Sequence, residues 1–398
     1  MNNLKFAIYN LQFKIISLFC VLLFSSLCAT AQNINIRIYS DNALTEFTFT
    51  ATEGKYDIID HDKIILSLAE GETATIRFAG SKLLKINEKE YKIHSNLHIR
   101  GATQSNTFTI ASPRKRFATR TFDNDLFIRL NANTMTLIND VQFDKYLAGV
   151  IEAEGGSKAQ LEYYKAQAVL CRSYAARYYE KHLAEGYNLC DGVHCQAFKG
   201  RCKTPLILEA ALATSGIVVV DTDGRIISAT FFANSGGQTV NSEDIWSGGS
   251  HYYLRSKPDP YSVGKPGYEW QKTYSEPEWR MYLLTKGFFV LDTVAYDFTF
   301  NQPERMKFFK FYGQDKLLEL KTMRTDLQLR STFFSVEHDS ANKKIILNGK
   351  GYGHGVGLSQ EGAMAMAEQN FKFDEIINFY FTNVRLKNIK NVNFFKIE

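Results

Sequence analysis

Glu154 is the residue best placed to do acid–base chemistry. It ends the run Tyr146-Leu147-Ala148-Gly149-Val150-Ile151-Glu152-Ala153-Glu154, and Gly155-Gly156 follow directly before a long helix-like stretch. On a small-residue turn at a helix N-terminus, the dipole would favour its charged form by about 0.3–1 kcal/mol if exposed. Acidic residues also cap helix starts routinely, so capping stands beside catalysis as a reading. The stretch that follows adds cations. Lys165, Ala168 and Arg172 fall at i, i+3 and i+7 and share one stripe, with Ala168 leaving room between the charges. Gln167 and Tyr174 flank that stripe. Two cations beside an acid could bind a carboxylate-bearing sugar; a solvated basic face is the alternative.

A second constellation is Gly349-Lys350-Gly351-Tyr352-Gly353-His354-Gly355-Val356-Gly357. Glycine at every second position would put all five on one face of a strand, where a packed strand or a sugar ring could approach the backbone. The other face would carry Lys350, Tyr352, His354 and Val356. His354 either contacts ligand or packs to hold the strand, and Ser359 caps the next helix. A dinucleotide fingerprint starting at Gly351 would need glycine where Val356 stands, and no Gly-Lys-Ser/Thr is present, which argues against a phosphate site.

The third is the loop holding Cys190, His194, Cys195 and Cys202, with His182 upstream. Cys171 lies in an apolar helical stretch and reads as a small core residue. Two of Cys190, Cys195 and Cys202 with His182 and His194 could form a tetrahedral N/S site of the zinc type. A Cys190–Cys195 or Cys190–Cys202 disulfide is the competing arrangement.

These residues need a scaffold, and the pattern predicts an α+β fold. From Ile34 to about Ser112, alternating apolar runs such as Phe47-Phe49 and Ile76-Phe78 predict an antiparallel β unit over residues 32–120. Residues 121–398, which carry the three constellations, then form a mixed α/β domain with a long central helix. Lys158 to His182 lacks Pro and Gly and predicts one long helix capped by Ser157. A smaller α/β subdomain is expected over 275–345, and helices near 360–369 and 374–381.

Residues 1–31 read as an export signal: Lys5 and Lys14 precede an apolar run, which ends in Ala29-Thr30-Ala31. The expected destination is the periplasm or cell envelope, with no integral membrane segment once the signal is cleaved. Aromatic content of 14% speaks against disorder, and a formal net charge of +5 is too weak to argue for nucleic acid.

At these motifs the chain resembles the stage II sporulation protein D family, SpoIID/LytB. The match includes Tyr146-Leu147-x-Gly149-Val150 leading to Glu154, then Lys165-Ala166-Gln167-Ala168-Val169 with Arg172-Ser173-Tyr174. It continues through Cys190-Asp191, His194-Cys195-Gln196, Asn234-Ser235-Gly236-Gly237 and Trp246, and closes with Gly353 to Gln360 and Gly362-Ala363. The resemblance implies a peptidoglycan lytic transglycosylase acting on glycan strands stripped of stem peptides. It puts the catalytic glutamate on Glu154 and a structural zinc on the His182, Cys190, His194 and Cys195 loop, with no organic cofactor. Lys165, Gln167, Arg172, Tyr174, Ser235, His354, Ser359 and Gln360 become the candidate substrate-binding residues. Family members often carry Pro-x-Glu-Met where this chain has Glu152-Ala153-Glu154-Gly155, so a second carboxylate competes for the acid's role; register favours Glu154. The same family includes amidase enhancers, which bind wall and assist a cell-wall amidase without cutting. A hydrolase pairing Glu154 with Glu243 or Asp244 is a further alternative.

Overall fold

A computed structural model describes residues 32–389, apart from 42, 43, 95, 292, 293 and 312. The expected signal at 1–31 lies outside the described residues. Alternation of buried and part-exposed positions, as in Asn33–Ile38 and Glu46–Glu53, generates two antiparallel-rich sheets. One has six strands, including Glu46–Glu53, Thr73–Gly80 and Thr107–Ala111. The other has seven, running from Leu189–Cys190 through Asn33–Ile38, Met135–Gln142, Asp125–Leu130, Leu97–Gly101 and Tyr56–Asp60 to Lys63–Leu68. Their buried faces share one core, in which Phe49 stacks on Phe108 at 5.1 Å between ring centroids. Each such buried ring contributes about 1.5–3 kcal/mol.

The β unit extends to Gln142 rather than ending near residue 120. Arg120–Asp123, Asp125–Leu130 and Met135–Gln142 pair directly with earlier strands, so the chain does not leave the sheets until then. Its helices follow as α1 (Phe143–Gly155), α2 (Leu161–Arg177), α3 (Pro205–Ala213), α4 (Ser242–Ile245), α5 (Glu276–Thr285), α6 (Leu320–Asp326), α7 (Gln360–Glu368) and α8 (Phe373–Tyr380). Helix α2 is shorter than the expected 158–182 span. It begins after Gln160, so Ser157 does not cap it. Helices α1 to α3, α7 and α8 share the core of the sheets. Phe198 joins the two layers, with ring centroids 6.1 Å from Phe122 and 5.1 Å from Tyr146.

The smaller subdomain is built on an antiparallel sheet in which Lys344–Lys350 lies between Glu269–Ser275 and Phe333–Asp339. It has its own core, centred on Trp279, Phe298 and Phe309. Among the described residues, no helix is long and apolar enough to cross a membrane.

Candidate active site and metal loop

Every residue from Tyr146 to Ile151 is buried, so α1 is enclosed on all sides over that stretch, and only its last turn, which carries Glu152 and Glu154, is part-exposed. Helix α1 ends at Gly155, and Gly156 takes φ 69°, a left-handed conformation. Glu154 therefore occupies the last turn of a helix, not the first. The dipole there is negative, so the expected N-terminal stabilisation of its charge is absent. A backbone donor takes over: Ala197 N–H donates to Glu154 Oε1 at 2.9 Å. Gln360 Nε2 donates to the Glu154 carbonyl at 3.2 Å, tying the start of α7 to the same turn.

The neighbouring acid is spent elsewhere. Glu152 accepts from Lys203 N–H at 3.2 and 3.0 Å and from the Thr204 hydroxyl at 2.6 Å. That places its charge at the N-terminus of α3, where the helix favours it. Close approach of the loop to α1 depends on Gly149, since a Cβ there would lie 2.3 Å from the Gly200 carbonyl oxygen. Tyr163 Oη is buried behind Gly155 without a hydrogen-bond partner among the described residues. Sequence reasoning missed both Ala197 and Tyr163. A backbone donor has no side-chain signature, and Tyr163 read as one more aromatic on a helix.

His182, Cys190, His194 and Cys195 converge, their ligand atoms all within 4.8 Å of one another. Cys195 Sγ lies 3.6 Å from His182 Nε2, and His194 Nδ1 lies 3.9 Å from both sulfurs. Zinc bound at about 2.3 Å to sulfur and 2.0 Å to nitrogen, in a tetrahedron, requires separations of about 3.3–3.8 Å. The donor set therefore fits that ion with small adjustments. His182 Nδ1 is 2.6 Å from Glu185 Oε1, which orients Nε2 toward the cluster. All four described cysteines are free, and Cys202 instead faces the Thr204 carbonyl at 3.4 Å. The Cys190 thiol is drawn down to about 5, foremost by its hydrogen bond with Cys195.

Asp191 fixes this loop to the N-terminal sheets. It accepts from Tyr39 N–H at 2.7 Å, Ser40 N–H at 2.9 Å, the Ser40 hydroxyl at 2.5 Å and Arg120 Nη1 at 2.7 Å. Leu189 and Cys190 also pair in parallel with Ile36 and Arg37.

The expected basic stripe does not form. Arg172 is 1% exposed, and its guanidinium goes to Asp144 at 2.8 Å, the Ala211 and Ile217 carbonyls and the Thr214 hydroxyl. Lys165 is held by Glu162 at 2.8 Å. Gln167 is fully buried and bonds to Cys171 Sγ, while Tyr174 packs on Tyr178 with ring centroids 4.7 Å apart. Ser235 is buried as well, sharing a 2.5 Å hydrogen bond with Ser262. Ser359 does cap α7, accepting from Gly362 N–H.

Nor is the glycine run a strand. The strand stops at Lys350, and Gly351, Gly353, Gly355 and Gly357 take φ of 79°, 110°, 86° and 84°. The result is a folded ribbon whose glycines face protein: a Cβ on Gly353 would lie 2.7 Å from that of Phe232. His354 holds the ribbon's shape. Val356 N–H donates to its Nδ1 at 3.1 Å, so its Nε2–H donates to the Phe231 carbonyl, also at 3.1 Å. Burial pushes the imidazole down to about 4, keeping it neutral.

Comparison with known proteins agrees with this set of motifs. Residues 131–220 match the family model for SpoIID, Stage II sporulation protein. A Stage II sporulation protein D from Bacillus amyloliquefaciens is 28% identical over 263 residues, covering 62% of this chain and 74% of that protein. Its namesake from Bacillus subtilis (strain 168) is 25% identical over 267 residues, covering 63% and 75%. The Amidase enhancer of Bacillus subtilis (strain 168) is 27% identical over 290 residues, which are 60% of this chain and 40% of that protein.

Proposed function

We propose, from the SpoIID family relationship carried by residues 131–220, that this chain is an exported peptidoglycan lytic transglycosylase acting on glycan strands without stem peptides. The observation that carries the choice of acid is the contrast between the two neighbouring carboxylates. Glu152 is engaged by two donor groups at the start of α3, whereas Glu154 accepts one backbone N–H on one oxygen.

Glu154 protonates the glycosidic oxygen as the bond to the muramyl C1 breaks, and positive charge develops at that carbon. The same carboxylate then takes the proton of that sugar's 6-hydroxyl, whose oxygen closes onto C1 as a 1,6-anhydro ring. The proton count balances on one residue, and no second carboxylate is needed, unlike an ordinary glycoside hydrolase. The hydrolase alternative is weakened by Glu243, which is locked in a two-pronged ion pair with Arg255 at 2.7 and 2.6 Å. Zinc would be held by His182, Cys190, His194 and Cys195 and would supply a rigid cross-link for the loop that carries Ala197. Ala197 orients the carboxylate, and Gln360 steadies the turn beneath it.

A second reading follows from the Amidase enhancer relative: wall binding that assists an amidase, without cleavage. Mass spectrometry of products from purified stem-peptide-free glycan separates the two. Anhydromuramyl ends that vanish with Glu154→Gln support the transglycosylase. Bound but uncut glycan would instead support the enhancer, and new reducing ends the hydrolase.

A further inference from the structure

Three arginines gather beside the glycine ribbon, Arg305 against Gly355 and Arg324 and Arg330 near Tyr352, and none has a carboxylate partner among the described residues. Arg305 gives its guanidinium only to neutral acceptors: the Gln238 and Ser235 carbonyls, each at 2.6 Å, and the Thr332 hydroxyl at 3.2 Å. The side chain of Arg324, on α6, makes no hydrogen bond or ion pair among the described residues, and its Nε is buried without a partner. Arg330 reaches over the Tyr352 ring, its Cζ 5.6 Å from the centroid. Elsewhere in the fold, Arg120, Arg172, Arg255 and Arg280 each hold a carboxylate at 2.6–2.8 Å.

Unpaired charge on the part-buried Arg305 and Arg324 is unfavourable unless something neutralises it, while Arg330 is exposed and free to reach a ligand. The groups register this: burial, then the charge of Arg324, brings Arg305 down to about 9, and burial also lowers Arg324. Glu269 lines an open hollow of about 320 Å³ together with Arg330 and Trp270, but forms no ion pair with Arg330. The cluster is open to a ligand, since Tyr352 is 49% exposed. It is also joined to the acid. Gly353 packs on Phe232, Phe232 pairs with Ser359, and the adjacent Gln360 bonds to the turn of Glu154.

Resting on the glycan reading above, we propose that Arg324 and Arg330, backed by Arg305 and bordered by Tyr352, form a subsite for a sugar-borne carboxylate. The carboxylate is the lactyl group, freed once a stem peptide has been removed. Guanidinium groups suit it because their planar N–H forks match a carboxylate in two-pronged geometry. Lys165 and Arg172, the cations the sequence offered for this role, are already paired. A glycan still carrying its peptides would present an amide there, with no charge to meet the arginines.

The test measures binding, with Glu154→Gln as the parent so that glycan stays uncut. Three probes of equal length are titrated: stripped glycan with free lactyl carboxylates, the same glycan with those groups converted to methyl amides, and a chitooligosaccharide. The parent is expected to prefer the free carboxylate by about tenfold, a difference near 1.4 kcal/mol. Arg324→Gln and Arg330→Gln should each reduce that preference several-fold and leave chitooligosaccharide binding unchanged, with melting temperature verifying the fold. A preference that survives in the double variant overturns the subsite while the glycan reading stands. Failure of all three probes to bind overturns both. Displacement by inorganic phosphate but not by lactate would reassign the cluster to phosphate and overturn the carboxylate proposal.

Discussion

Ala197 gives its backbone N–H to Oε1 of Glu154 at 2.9 Å, two residues after Cys195. The proposed acid and the cysteine/histidine cluster are thus mechanically joined through a single dipeptide. Anything that loosens the cluster changes where the carboxylate points.

Exchanging the two neighbouring acids for glutamine should give opposite phenotypes. Glu154→Gln is expected to abolish anhydromuramyl products with little change in melting temperature. Glu152→Gln should keep the activity and lose about 1–2 kcal/mol of stability, because the start of α3 loses a charged acceptor. Product analysis and thermal denaturation on the two proteins decide it; activity surviving in the first variant would move the acid elsewhere.

Arg172 should matter to folding and not to substrate. Replacing it by Met leaves the part-buried Asp144 without its cation, held only by the Ser215 hydroxyl, and about 3–5 kcal/mol of stability should go with it. Urea denaturation measures the loss. Glycan affinity of the folded fraction should be unchanged, and a large drop there would restore Arg172 as a ligand contact.

One zinc per chain is expected by elemental analysis, and Cys190→Ser or chelation should remove it. Loss of the ion should speed hydrogen exchange at the Ala197 amide, in step with the cluster rather than with global unfolding. Equal protection with and without metal would separate the loop's order from the ion.

Stability should fall as pH drops from about 6.5 to about 4 through His354. The folded imidazole is depressed below its ordinary value, so over that window the unfolded chain takes up a proton that the folded one does not. The contribution is present in full above pH 6.5 and lost progressively down to about pH 4, some 3 kcal/mol at most. A His354→Gln variant should show a flatter pH–stability curve over this range. Parallel curves for the two proteins would show that other groups cause the decline.

Much of the scaffold was readable because its signals are local. Alternation in runs such as Phe47-Phe49 and Ile76-Phe78 marked strands, and the helix starting at Gln360 announced itself through Ser359. The convergence of the two cysteines and two histidines was equally legible, since all four fall within fourteen residues. What escaped depended on distance along the chain. The burial of Arg172 is set by Asp144, 28 residues earlier, at the start of a helix of which only the end, at Gly155-Gly156, had been read, and as a turn. The glycine ribbon misled for a related reason: an alternating pattern implies a strand only if φ stays negative, and four of its glycines depart from that.

The parallel pairing of Leu189–Cys190 with the first strand, and the four bonds that Asp191 accepts from residues 39, 40 and 120, bear on how portable this machinery is. The segment matched by the family model begins at residue 131, yet part of its proposed ion site is a sheet edge completed by residues 36 and 37. Excising or transplanting that segment alone would sever a strand from its neighbour and strand a carboxylate without its donors. The N-terminal sheets are thus less an appended module than the mould in which the loop is cast, and successful chimaeras would exchange both together.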